Sequence, residues 1–163
     1  MLFRSNEALA WAAAQPDIEV VETSVSIADQ RNIDTGLPVC VQHNVGVLAK
    51  RPIANAAWKD LSQQQGMYQK YAADYTERLR KMGVTPADLG FQGDLAQVWP
   101  EIALRFTLSQ PGVHVAIIGT TREASARANL EAVGKGPLPQ EAIDKLRAAF
   151  RQTDPDGAWV ALS

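Results

Sequence analysis

The stretch "VAIIGTTREASARANLEA", residues 115–132, decides how the chain is read. A run of branched apolar residues stops at Gly119. Two threonines and Arg122 follow, and then an alanine-rich segment. β-branched residues favour strands and alanine favours helices, so the stretch predicts a strand that hands over directly to a helix. Thr120-Thr121-Arg122-Glu123 fits a capping box, in which Thr120 accepts a backbone N–H and Glu123 reaches back. Gly119 removes a side chain where a ligand could approach. A helix N-terminus offers unbonded N–H groups to an anion, and Arg122 adds a fork suited to a phosphate.

Outward from this turn the same reasoning orders the rest. "SNEALAWAAAQP" (5–16) predicts a helix, capped by Ser5 or Asn6 and stopped by Pro16. Residues 18–27 and 45–49 are short and β-branched, and predict strands. Between them 28–44 is ambiguous: Asp29 suits a cap, and Leu37, Val41 and Val45 recur at helical spacing. Residues 55–66 read as a loop. From 67 to 82, Tyr68, Tyr71, Tyr75, Leu79 and Met82 share one helical face, which reads as core packing and not as a stacking platform. A helix over 94–112 presents Trp99, Ile102, Ala103 and Phe106. A third strand spans 113–119, and helices follow over 121–133 and 139–150.

Strands alternating with helices imply an α/β fold with parallel strands. Such folds bind ligands at the carboxyl ends of their strands. Three polar clusters lie there: Ser24 to Arg31, Lys50 to Asn55, and Gly119 to Arg122. His43 and His114 lie just before strands, at the opposite end, where a structural or solvated role is expected.

With 163 residues the chain reads as one domain, 1–163, and its 46% hydrophobic content supplies a core. A net charge of −2 lacks the basic excess that nucleic acid or an anionic membrane would attract. Cys40 is the single cysteine, so no internal disulfide forms, and no Cys/His set suits a metal. A reducing cytoplasm is the expected compartment. No apolar run approaches the roughly 20 residues of a bilayer span.

"GVLAKRPIANAAW" (46–58), "RFTLSQPGV" (105–113) and "PGVHVAIIGTTREASARANLEA" (111–132) resemble the carboxyl-terminal half of the aldo/keto reductases. Gly119-Thr120-Thr121-Arg122, with Asn129 ten residues after the glycine, is the most specific match. The resemblance implies the last three β/α units, plus a C-terminal helix, of a (β/α)8 barrel. It implies an NADPH cofactor. Gly119, Thr120, Thr121 and Arg122 would hold the 2′-phosphate, Asn129 would contact adenine, and Lys50, Arg51, Pro52 and Ile53 would lie along the pyrophosphate. Glu22 stands where a glutamine usually meets the carboxamide. Lys50 stands where a tyrosine often stacks on nicotinamide. Ser125 and Ala128 replace polar residues that often assist at the adenylate end.

The family's catalytic aspartate, tyrosine, lysine and histidine belong to the half that this chain does not match, so no catalytic residue is assigned. The parent reaction is hydride transfer between nicotinamide and an aldehyde, ketone or alcohol. The chain alone is expected to be inactive and to associate through open sheet edges. The alternative is a non-catalytic nucleotide-binding or interaction piece completed by another chain. "MLFRS" stands where the family has a strand, which implies an N-terminally shortened gene or an assembly artefact.

Overall fold

The computed structural model describes residues 6–63 and 67–162, with the side chains of residues 6, 63, 67 and 68 left aside. The "MLFRS" start, the Ser5 and Asn6 caps and the Tyr68 side chain therefore lie outside the described residues.

The chain runs α1 (Asn6–Ala13), β1 (Val20–Ser24), α2 (Arg31–Asp34), α3 (Gly36–Gln42), β2 (Gly46–Lys50), α4 (Met67–Met82), α5 (Leu95–Leu108), β3 (Val115–Ile117), α6 (Glu123–Gly134) and α7 (Gln140–Thr153). Short 3-10 turns at Ala54–Ala56, Leu61–Gln63 and Ala87–Leu89 interrupt the loops. The three strands form one parallel sheet in the order β1-β2-β3. Thus the α/β reading holds, and the architecture is part of a (β/α)8 barrel.

Alternate strand residues face opposite sides of a sheet. Val21, Val47 and Ala49 lie on one side, fully buried with Leu9, Ala12, Leu37 and Cys40 from α1 and α3. Close helix approach is possible because α3 begins with Gly36, where a Cβ would sit 2.3 Å from Leu9 Cδ2. A second core joins α4, α5 and α7 through Tyr75, Leu79, Trp99, Ile102, Phe106, Leu146 and Phe150. Ala142, Leu146 and Phe150, at four-residue spacing, supply the inner stripe of α7.

The structure departs from the expected boundaries in instructive ways. The first strand stops at Ser24, not residue 27, because the chain folds into a tight turn in which Ser26 and Asp29 exchange backbone hydrogen bonds. The ambiguous 28–44 segment forms two short helices. Val41 is 57% exposed, although Leu37 and Val45 are buried. The tyrosine stripe is split: Tyr75 is core, whereas Tyr71 is half exposed. The third strand is only three residues long. His114 is indeed structural. Its Nδ1 accepts the Val47 N–H at 3.1 Å, while its own N–H donates to the Val47 carbonyl.

Candidate functional site

At the carboxyl end of β3 the chain leaves through Ile118 and Gly119 and enters α6 at Glu123. The expected capping box does not form. Thr120 Oγ1 accepts the Arg122 N–H at 3.2 Å, a turn that closes before the helix starts. Arg122 itself occupies the N-cap with extended backbone and no side-chain cap. Glu123 pairs forward with Arg127 instead of reaching back. The Ser125 and Ala126 N–H groups donate to the Arg122 carbonyl, which leaves those of Glu123 and Ala124 without a partner among the described residues. The end of α6 therefore stays open to an anion.

That end borders a cleft of about 680 Å³ between α5, α6 and the loop after β2. Gly119, Thr120, Arg122, Ser125, Ala128 and Asn129 line one wall, and Ile53, Ala56, Trp58 and Lys59 the other. A Cβ at Gly119 would meet nothing within 4 Å, so the protein's own packing does not demand glycine there. The floor carries Glu101, bonded to Arg105 and Lys135. Burial pushes the Glu101 carboxyl up, but these two donors outweigh it and hold the group below the ordinary glutamate range. Lys59 and Arg122 are the lining cations that form no ion pair among the described residues. An open helix terminus and two uncommitted cations fit the phosphate end of a dinucleotide.

The remaining expected contacts lie elsewhere. Thr121 is exposed and does not line the cleft. Glu22 and Lys50 belong to the sheet face opposite α1 and α3, in register with Leu48 and Ser24 respectively. Glu22 is half-buried there, while Lys50 is 8% exposed at the rim. Pro52 is buried, and its carbonyl accepts from Thr107 Oγ1 at 3.2 Å. Arg51 is half-buried, with its guanidinium carbon 5.3 Å from the Tyr71 ring centroid.

Two features escaped the sequence reading. Trp58 stacks on Trp99 with centroids 5.9 Å apart and walls the cleft. Only its place in "RPIANAAW", beside the expected pyrophosphate loop, hinted at this. Asp29, expected to cap a helix, is wholly buried and accepts the Leu162 N–H at 2.8 Å. No local signal marks that bond, because its partners are 133 residues apart. Among the described residues no cluster of His, Cys, Asp and Glu is able to hold a metal, and no helix is long and apolar enough to cross a membrane.

No curated protein matches the chain. Among solved structures the apo form of aldo-keto reductase AKR11C1 from Bacillus halodurans is similar, with a TM-score of 0.66 and 21% identity. The match covers 90% of this chain and 48% of that one. The holo form of the same protein gives a TM-score of 0.62 at 20% identity, over 90% and 47%. The chain thus spans about half the length of the solved structures it matches. The aldo/keto reductase family model matches residues 4–151, and the chain belongs to the aldo/keto reductase family.

Proposed function

We propose that this chain carries the nucleotide-holding part of an NADPH-dependent carbonyl reductase. The observation behind this is the open N-terminus of α6, with Arg122 at its N-cap, facing the Ile53–Lys59 wall across one cleft. Gly119, Thr120 and Arg122 would hold the 2′-phosphate, and Asn129 would meet the adenine. The Lys50–Ile53 loop would run along the pyrophosphate, and Glu22 would lie toward the carboxamide. The bound cofactor supplies a hydride to an aldehyde or ketone. This chain's own residues bind and orient its phosphate end, and the acid that protonates the substrate comes from a further stretch of polypeptide.

A specific observation favours completion by more protein. The sheet face opposite α1 and α3 leaves Val20, Val115 and Ile117 between 43% and 51% exposed. The outer edges of β1 and β3 carry no strand partner among the described residues. Parallel sheets are normally covered on both faces, and open edges invite pairing. The chain alone therefore associates with itself or with a complementary half, and by itself turns over no carbonyl substrate.

The test is Arg122→Ala, with NADPH and NADH titrated at fixed salt. A charge-assisted contact is worth about 1.5–3 kcal/mol, so NADPH binding falls roughly ten- to a hundredfold while NADH binding stays nearly unchanged. Equal losses for both cofactors, or no loss, remove the 2′-phosphate assignment.

A further inference from the structure

The loop after β2 is bent in a way its residues resist. Arg51, Ala54, Asn55 and Ala56 have φ of 55°, 47°, 51° and 54°. This left-handed region crowds Cβ against the following carbonyl, a conformation that Asn tolerates but Arg and Ala resist. A run of such residues persists only where the surroundings over-determine it.

The surroundings come from α4 and α5. The Arg51 guanidinium lies over two rings of α4, 5.3 Å from the Tyr71 centroid and 5.9 Å from that of Tyr75. Tyr75 is in turn fixed, since its hydroxyl shares a 3.1 Å hydrogen bond with the buried Ser24 Oγ. Asn55 Nδ2 donates to the Tyr71 carbonyl at 3.2 Å. Thr107 of α5 reaches the Pro52 carbonyl. On its other side the loop turns Ile53 and Ala56 toward the cleft. The loop is thus pinned from behind by α4 and α5 and presents its front to the cleft.

We propose that Tyr71 and Tyr75 clamp Arg51 as a splint that holds the 51–56 loop in its left-handed shape, so that Arg51 positions the cofactor loop instead of contacting a phosphate. This rests on the cofactor reading above. A guanidinium attracted to two rings of α4 ties the loop to that helix and fixes where the side chain lies. The loop backbone, not the Arg51 charge, then meets the cofactor.

The experiment is a double-mutant cycle of Arg51→Met and Tyr71→Ala on the full chain, chosen because Tyr71 is half exposed and its truncation spares the core. Two quantities are read: amide hydrogen exchange at Ala54, Ala56 and Ala57 without cofactor, and NADPH affinity. Each single variant speeds exchange and weakens NADPH about two- to fivefold, the worth of one such cation–ring contact. The double variant is no worse than either single, because both remove the same splint. Tyr75→Phe, which keeps the ring and loses the Ser24 bond, shows a smaller change of the same kind. Unchanged exchange in the single variants overturns the splint. So do additive NADPH losses with a lowered salt dependence for Arg51→Met, which would make Arg51 a phosphate ligand. If the wild-type chain binds no NADPH, the exchange arm still decides the splint, and only the cofactor reading fails.

Discussion

Apolar residues on the two faces of the sheet meet opposite fates, and the face opposite α1 and α3 also carries Glu22 and Lys50. Val21, Val47 and Ala49 face α1 and α3 and are fully buried. Val20, Val115 and Ile117, equally apolar and on the same strands or their neighbour, are 43–51% exposed. Strand composition alone does not separate them, since a parallel strand is apolar on both sides when both sides are covered. The difference fits the proposed reading, in which further polypeptide covers the second face.

The largest effect expected from that contrast is on stability. Leu9→Ala, in the covered layer, should cost about 2–5 kcal/mol, whereas Ile117→Ala on the open face should cost well under 1 kcal/mol. Urea denaturation checks both. Sedimentation should show Ile117→Lys reducing self-association while Leu9→Ala does not. Equal costs for the two alanine variants would mean that the open face is already covered in solution.

The contrast extends to a polar group at the covered rim. Burial pushes the Asp29 carboxyl up from 3.8 to about 6, against the pull of the Leu162 N–H and of Arg78. The folded chain therefore holds this proton more tightly than the unfolded chain. The resulting stabilisation is complete below about pH 3.8 and is lost as pH rises through about 6. Asp29→Asn removes that dependence. Its stability relative to wild type should rise by about 2–3 kcal/mol between pH 4 and pH 7.5, from one pK unit being worth about 1.4 kcal/mol. A flat difference across that range would show that Arg78 neutralises the charge more fully than burial opposes it.

The smallest effect compares one residue type in two settings. Ala54 and Ala72 are both fully buried, but Ala54 has φ of 47° in the rim loop and Ala72 lies within α4. Ala54→Gly relieves left-handed strain and should stabilise by about 0.5–1 kcal/mol after the added entropy of the unfolded chain. Ala72→Gly should destabilise by about 1 kcal/mol or more. Thermal melts of the pair carry the sign change, and two losses would mean that the loop is not strained.

Much of this was legible beforehand because it depends on near neighbours. The order of strands and helices follows from periods of two and 3.6 in the apolar residues. Trp99, Ile102, Ala103 and Phe106 were expected inside from spacing alone, and all four are. Gly119 to Arg122 stood out because a strand ends and a helix begins there. The details of that turn were less legible. A capping box and the observed Thr120–Arg122 turn draw on the same four residues, and only the backbone angles of Arg122 choose between them.

What the sequence by itself determined is the alternating α/β order, the family, and the polar clusters at the carboxyl ends of the strands. Those rest on contacts within one helical turn or one strand, or on contiguous motifs. The tertiary structure decided the rest. It chose which sheet face is covered, brought Leu162 to Asp29 across 133 positions, and laid Arg51 over rings 20 and 24 residues further on. The physical reason is range. Propensity, capping and periodicity act between near neighbours, whereas burial and charge pairing depend on which distant segments arrive at the same place.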